Sequence, residues 1–195
     1  MLKIIISPNP ILAQKAKRVA KIVKATLTLI EEMRQALLAA KDPEGVGLAA
    51  PQVGKSLQIF LAKPTPKSPI QVFINPVITQ SKAEYHTKQH RKIQRSSAYS
   101  SAKISDSSKK LEGCLSLPNI WGNVNRSLMI VVSYTDEKGG SHKHKFSGLL
   151  ATIIQHEIDH LNGILFPKRV LEQKGKLYKS HKDEKGQDVF EEIEI

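Results

Sequence analysis

The segment 149–162, LLATIIQHEIDHLN, is the feature that most restricts how this chain can fold. Its apolar residues recur at helical spacing and Gly163 follows as a natural terminator, so we predict a helix. Because residues four apart share one helix face, His156 and His160 can direct both rings at one cation. Glu157 flanks the same position, where a carboxylate could take a proton from an activated water. The fold must therefore hold a polar reaction centre on an otherwise apolar helix.

A third metal ligand is offered by Cys114, the only cysteine, in the stretch LEGCLSLP at 111–118. A catalytic metal site needs three protein ligands and an open position, and a thiolate beside a divalent cation binds strongly. Gly113 permits a close approach to the ligand. The alternatives are a small buried thiol and two core histidines that stand four apart by chance. Asp159 should point away from the site, where it would be solvated or would make a contact behind the ligands.

The rest of the sequence predicts an α+β fold, with several mostly antiparallel strands around one buried helix. Residues 24–40 have helical apolar spacing that stops at Asp42 and Pro43. Residues 45–54 contain too much glycine and proline for a helix or a central strand, so we predict a shaped loop that feeds a strand. The predicted strands are 57–62, 71–75 (ended by Pro76), 128–135 and 141–146, the last two forming a hairpin across the turn 136–140.

Two further stretches extend this core. Residues 79–111 are rich in Ser, Lys, Gln and His without a sustained period, which indicates a long basic insertion or loop. From about residue 168 the chain becomes a charged tail, in which 168–180 could form a short helix and 189–195 a last strand after the turn at 183–186. We treat residues 1–195 as a single domain, which suits a mass of 21.7 kDa.

Other histidine pairs are weaker candidates for a metal site. His142 and His144 share one face of a predicted strand, but lysines flank them and we expect no acid nearby, so we interpret both as solvated. His86 and His90 lie four apart in the insertion, again without a supporting acid or cysteine. We therefore expect the metal chemistry at the 149–162 helix.

The formal net charge of +12 is concentrated in two segments. Residues 1–24 hold six Lys or Arg and no acid, and residues 79–111 hold eight Lys or Arg against two acids, a surplus of six. Such a distribution favours a basic surface that could meet an anionic partner such as RNA, or else a solvated face. We see no secretory leader or membrane-spanning run, and a single cysteine excludes an intrachain disulfide, so we expect a reducing cytoplasm.

Three segments, in order, resemble the signature motifs of the peptide deformylase family: GVGLAAPQ at 45–52, EGCLS at 112–116 and QHEIDH at 155–160. The opening segment 5–12 also resembles the start of that family, and the resemblance extends to about residue 170. The chain departs from the family in a longer stretch before the second motif and in lacking the long C-terminal helix of some members. The resemblance implies a metal-dependent hydrolase that removes the N-formyl group from the N-terminal methionine of new polypeptides and releases formate.

The resemblance also implies the roles of single residues. One divalent metal is expected, with iron(II) favoured and zinc, nickel or cobalt as alternatives. Glu157 would accept a proton from the attacking water and deliver one to the leaving amine. The Gln52 side chain and the Leu115 backbone N–H would donate hydrogen bonds to the developing oxyanion. The implied metal ligands are Cys114, His156 and His160.

Substrate binding is implied in the same way. N-formylmethionyl nascent peptides would dock as an added strand beside Val46 and Gly47, where glycine lets two backbones approach. The methionine pocket would be formed by Val46, Leu149, Ile153 and the ring of His156.

The basic insertion at 79–111 could add an association with the ribosome, whose surface is rich in RNA.

Two other functions compete with this interpretation. A zinc metallopeptidase also uses a His-Glu-x-x-His helix but draws its third ligand from downstream, where this chain offers His181, Asp183 and several glutamates in the charged tail. An RNA-binding protein without enzymatic activity would explain the net charge but not the three motifs.

Overall fold

The structure is a computed structural model that describes residues 2–41, 43–82 and 111–194. Most of the basic insertion therefore lies outside the described residues. No helix in the described ranges is long and apolar enough to cross a membrane. The helices are α1 (Lys24–Ala39), α2 (Gly148–Leu161) and α3 (Phe166–Glu172). The strands are β1 (Gly47–Ala49), β2 (Ile59–Ala62), β3 (Gln71–Lys82), β4 (Leu111–Cys114), β5 (Leu117–Asn123), β6 (Met129–Thr135), β7 (Ser141–Ser147), β8 (Leu177–Lys182) and β9 (Asp188–Ile193).

One antiparallel sheet has the order β1-β2-β3-β6-β7. The predicted β6–β7 hairpin is confirmed, and its turn is held by Asp136, whose Oδ1 accepts from the N–H groups of Lys138 and Gly140 at 2.9 and 2.8 Å. The prediction that β3 ends before Pro76 is wrong, since the strand continues to residue 82. The register shifts between Ile74 and Val77, and an irregularity of this kind accommodates a proline that cannot donate to the ladder.

A second antiparallel sheet has the order β4-β5-β8-β9. The predicted helix over 168–180 is wrong in extent, because α3 ends at Glu172 and the chain enters β8 at Leu177. The segment after residue 168, predicted as a charged tail, therefore supplies part of a helix and two strands. β8 reads LYKSHK and has few apolar residues, so its alternating pattern was too weak to predict a strand.

The predicted shaped loop at 45–54 is an edge strand followed by a single turn of 3-10 helix. β1 covers three residues and pairs with β2, and the 3-10 turn runs over Ala50–Val53. Gly54 ends this turn at φ 79°, a conformation that favours glycine. The loop is therefore largely buried, and it places the Gln52 side chain in the interior.

The central element is α2, which packs on β1, β2 and β7. Its apolar face includes Ile153 and Ile154, in one core cluster with Phe60 and Phe73. The predicted terminator Gly163 adopts φ 70°, and a Cβ there would lie 2.6 Å from the backbone of Ala13. The expected α+β fold, with mostly antiparallel strands around a central helix, is thus confirmed.

Candidate active site

The three predicted metal ligands converge in the structure. Cys114 is the last residue of β4, and His156 and His160 lie one helical turn apart on α2. Their ligand atoms all lie within 4.8 Å of one another, and Cys114 Sγ is 3.2 Å from His160 Nε2. Ligands around a tetrahedral cation are spaced by about 3.5 Å, given bond lengths of about 2.0–2.3 Å. Among the described residues this is the one group of three such side chains placed to hold a metal ion.

The electrostatics of the two histidines suit a bound cation. Burial, together with the positive charges of His156 and Arg126, holds the pKa of His160 well below its usual value, so the ring keeps a lone pair for a metal. Burial opposes a charge on His156 as well, but hydrogen bonds with Cys114 and Glu112 raise its pKa well above the usual value. The neutral His160 can therefore bind a cation directly, and at His156 a cation would take the place of the proton that these surroundings favour.

Glu112 orients the first histidine. His156 Nδ1 donates to Glu112 Oε2 at 3.1 Å, which leaves Nε2 on the side of Cys114. Burial alone would raise the pKa of Glu112, but hydrogen bonds from His156 and Arg126 outweigh it and lower the pKa to about 2. Glu112 is therefore a carboxylate at neutral pH and fixes the orientation of the His156 ring.

A chain of ion pairs continues behind Glu112. The Arg126 guanidinium donates to both oxygens of Glu112 at 2.8 and 2.9 Å and to Asp159 Oδ2 at 2.6 Å. Arg169 donates to the same Asp159 carboxylate at 3.1 and 2.7 Å. Asp159 does point away from the ligands, as predicted, but it is only 6% exposed, so the solvated alternative is wrong and the contact behind the ligands is the observed one.

Glu157 lies at the same site and is 3% exposed. Its Oε2 receives no hydrogen bond from the described residues. Burial raises the pKa of Glu157 to about 7, although the positive charge of His156 lowers it. A Cβ built on Gly47 would overlap Oε1 of Glu157, so the glycine in β1 leaves the space that the carboxylate occupies.

Gln52 presents an amide N–H₂ group to the site. The backbone N–H of Ala49 donates to Gln52 Oε1 at 2.8 Å, and Gln52 Nε2 lies 3.2 Å from Ser116 Oγ and 3.6 Å from Cys114 Sγ. Leu115 is the first residue of the two-residue turn that joins β4 to β5, directly after Cys114. Gln52 Nε2 and the turn that contains Leu115 therefore both lie next to Cys114.

The predicted substrate residues lie next to this group. Val46 and Gly47 are in β1 or just before it, and β1 is at the edge of its sheet. Val46 and Leu149 are half-buried and pack against the core cluster that contains the buried Ile153. An apolar surface of this composition adjoins the helix that carries the histidines.

Sequence reasoning missed three residues of the site. Glu112 was noted as part of a motif without a role, and Ser116 was treated in the same way. Arg126 lies in an irregular segment with neither periodicity nor a motif, so no signal marked it. The motif position of Glu112, two residues before the cysteine, was the one available signal, since metal-bound histidines commonly donate to a carboxylate.

The histidine pair within the described residues, His142 and His144, does not form a metal-binding group. His142 Nε2 lies 2.7 Å from Asp136 Oδ2, so the expectation that no acid is nearby is wrong. The hairpin turn folds Asp136 back beside a histidine six residues later in sequence. His144 is exposed, as predicted, while His86 and His90 lie outside the described residues.

The comparisons with known proteins agree with one another. The family model for polypeptide deformylase matches residues 1–176. The chain is 38% identical over 168 residues to peptide deformylase 2 of Prochlorococcus marinus, covering 85% of this chain and 71% of that protein. It is 37% identical over 165 residues to the peptide deformylase of Synechocystis, covering 83% and 75%.

Solved structures show the same relationship. The peptide deformylase of Synechococcus elongatus, in complex with actinonin, matches with a TM-score of 0.70 and 34% identity, covering 86% of this chain and 78% of that chain. The peptide deformylase of Thermus thermophilus matches with a TM-score of 0.71 and 34% identity, covering 89% and 88%. This chain belongs to the polypeptide deformylase family, the metal-dependent hydrolases that remove the N-formyl group from the N-terminal methionine of polypeptides.

Proposed function

We propose that Cys114, His156 and His160 hold the catalytic metal and that Glu157 is the proton shuttle and not a ligand. The convergence of the three ligand atoms beside one buried, unpaired carboxylate oxygen carries this proposal. One thiolate and two imidazoles suit iron(II), zinc, nickel or cobalt, and the family resemblance favours iron(II). When bound, the cation supplies a Lewis acid that activates water and polarises the formyl carbonyl.

Glu157 moves the proton that the reaction releases. The attacking water forms a bond to the formyl carbon while its proton passes to Glu157. The carbon–nitrogen bond then breaks, and Glu157 returns the proton to the amine nitrogen, which leaves formate and a free N-terminus. Burial raises the pKa of Glu157 to about 7 in the metal-free protein, so this carboxylate takes up a proton more readily than an exposed glutamate does.

Gln52 and Leu115 stabilise the negative charge that develops on the formyl oxygen. This assignment is supported by the position of Gln52 Nε2, 3.6 Å from Cys114 Sγ, and by the place of Leu115 directly after Cys114 in the turn. Removing one preorganised donor of this kind lowers kcat by a factor of about 10²–10³. This assignment is also the basis of the further inference below.

The substrate peptide pairs with the open edge of β1. The sheet order leaves one side of this strand without a strand partner among the described residues, so a bound peptide can add to it through Val46 and Gly47. The first side chain of the substrate then points at the apolar surface formed by Val46, Leu149 and Ile153. Burying a methionine side chain there favours formylmethionyl peptides over formylglycyl peptides.

We further propose that residues 1–195 form one catalytic domain that acts in the cytoplasm, and that basic surface draws it to the ribosome. The charge distribution supports the second part. Residues 1–24 and 79–111 account for the whole net charge of +12, and nascent chains emerge at an RNA-rich surface.

Two variants test the assigned chemistry. When it is prepared in the absence of oxygen, the Glu157→Gln variant should keep a full complement of metal. Its kcat on a formyl-Met peptide should fall by several orders of magnitude. Cys114→Ser should weaken metal binding markedly, because a hydroxyl is far less readily deprotonated than a thiol. Near-normal turnover of the first variant would remove Glu157 from the mechanism. Full metal occupancy and activity of the second would point to a different third ligand.

A further inference from the structure

Ser116 lies beside the proposed oxyanion donors without a role of its own so far. It is the second residue of the turn between β4 and β5 and is completely buried. Its hydroxyl oxygen is 3.2 Å from Gln52 Nε2, across 64 residues of sequence. A buried hydroxyl at this distance from a side-chain amide accepts one of the amide hydrogens.

The hydrogen bonds of Gln52 fix which way its carboxamide faces. The backbone N–H of Ala49 donates to Oε1 at 2.8 Å, so a flipped amide would place N–H₂ against another donor. The correct orientation directs both Nε2 hydrogens towards Ser116 and Cys114. Ser116 Oγ takes the first hydrogen, and the second lies on the side of Cys114 Sγ, 3.6 Å away.

The position of Ser116 relative to Gln52 is itself fixed by the N-terminal segment. The N–H of Ser7 donates to the Ser116 carbonyl at 2.9 Å, and the N–H of Ile5 donates to the Gln52 carbonyl at 2.8 Å. Two residues of one extended segment therefore tie together the turn that carries Ser116 and the 3-10 turn that carries Gln52. The backbones of Ser116 and Gln52 cannot move apart without breaking these bonds.

We propose that Ser116 is a positioning residue for the oxyanion donor Gln52. By accepting one Nε2 hydrogen, its hydroxyl holds the plane of the carboxamide so that the second hydrogen stays on the side of Cys114, where the formyl oxygen would bind. This rests on the proposed role of Gln52. A donor that is aimed before the reaction acts on the transition state more than on the bound substrate, so the loss should appear in kcat and not in KM.

The test combines Ser116→Ala with Gln52→Ala in a double-mutant cycle on the metal-loaded enzyme. Gln52→Ala should lower kcat by about 10²–10³. Ser116→Ala alone should lower kcat by about tenfold, which is the loss of one neutral hydrogen bond, with KM within about twofold. In the Gln52→Ala background the same serine change should leave kcat unaltered, because the group that it positions is gone.

Metal content and the thermal midpoint are measured on every variant as readouts apart from activity. Ser180→Ala is the matched control, because Ser180 is also buried and its hydroxyl accepts from Trp121 Nε1 at 2.9 Å, away from the site. The control should lose a similar amount of stability and keep kcat. Ser116→Thr, which retains the acceptor, should recover most of the lost kcat. Ser116→Gly replaces Ser116→Ala in the cycle if the alanine variant does not fold.

The possible results distinguish a failure of the Ser116 inference from a failure of the proposed role of Gln52. An equal loss of kcat from Ser116→Ala with and without Gln52 would show that the serine acts independently of the amide and would overturn the inference. Loss of metal from Ser116→Ala, or a control that loses as much kcat, would overturn it as well. An unchanged kcat in Gln52→Ala would instead refute the proposed oxyanion role of Gln52.

Discussion

Single residues around Glu157 determine where its carboxylate can lie. Gly47 leaves room for Oε1, and Oε2 is buried without a hydrogen bond from the described residues. Among the described residues, neither oxygen of Glu157 forms a salt bridge that would keep the carboxylate from taking up a proton at the site. The carboxylate is therefore placed by the shape of the space around it, and filling that space should displace it.

Gly47→Ala tests this geometry. The added methyl group would overlap Glu157 Oε1 and would also come within 3.0 Å of Ile153, so we expect kcat to fall by at least about tenfold while metal content is kept. Gly45→Ala is the control, since its Cβ would meet Leu37 at 2.8 Å and not the carboxylate. The control should lose stability more than kcat. Full activity of Gly47→Ala would show that this space is not needed.

Glu112 should make stability depend on pH. Its pKa is about 2 in the folded protein against about 4.5 in the unfolded chain, so its contribution is complete above the unfolded value and is lost as pH falls towards 2. At neutral pH the contribution is on the order of 3 kcal/mol. The difference in unfolding free energy between the wild type and Glu112→Gln should therefore fall to about half between pH 7 and pH 3. Denaturant titrations would contradict this if the difference stayed constant.

At the scale of elements, ion pairs connect the strand, the helix and the segment around the site. Glu112 is in β4, Asp159 is in α2 and Arg169 is in α3, while Arg126 lies between β5 and β6 and pairs with two of them. The side chain of Arg126 is 9% exposed, and that of Arg169 is 33% exposed. The Asp159 carboxylate therefore has one buried partner, Arg126, and one partly exposed partner, Arg169, whose charge is screened by solvent.

Removing the two arginines should have unequal effects. Arg126→Met removes the buried cation that Glu112 and Asp159 share and leaves them with only His156 and Arg169, which costs about 3–5 kcal/mol. It should also weaken metal binding by about 10–100-fold, because Glu112 orients His156. Arg169→Met should cost only about 1 kcal/mol, since this pair is partly solvated and Asp159 keeps Arg126. Chemical denaturation and metal titration measure both, and equal losses for the two variants would contradict the ranking.

At the scale of the whole molecule, catalysis and charge occupy different parts of the chain. The proposed catalytic residues lie between Val46 and His160, in the described residues on either side of the insertion. Residues 79–111 hold half of the net positive charge and, apart from β3 and the start of β4, lie outside the described residues. This separation suggests that the insertion affects where the enzyme is located and does not take part in its chemistry.

Replacing residues 83–108 by a short Gly/Ser linker tests that division. Turnover of a formyl-Met peptide should stay within a few-fold, and association with ribosomes at low salt should weaken. In the wild type this association should fade as salt rises, because it depends on phosphate contacts. Loss of turnover with a full metal site would mean that the insertion shapes the substrate groove. Unchanged ribosome binding would remove its proposed role in location.

The sequence was enough to predict the helix 149–162, the β6–β7 hairpin and the shared helix face of His156 and His160. These features follow from local rules, namely helical periodicity, alternation, turn residues and the fixed spacing of His156 and His160 on one helix face. It could not predict that β3 passes through Pro76, or that β8 begins at Leu177 within the segment expected to be helical. Both outcomes depend on a partner strand far away in sequence, which is β6 for β3 and β5 for β8.

Tertiary structure alone decided how the site is supported. Ser116 meets Gln52 across 64 residues, and Arg126 meets Asp159 across 33, so no local pattern could join them. Burial then decides the chemistry of each group. Glu112 and Glu157 are both glutamates, yet two hydrogen-bonding partners hold the pKa of one near 2 and burial raises that of the other to about 7. The sequence determines which groups are present, and the fold determines which of them are charged and which atoms they face.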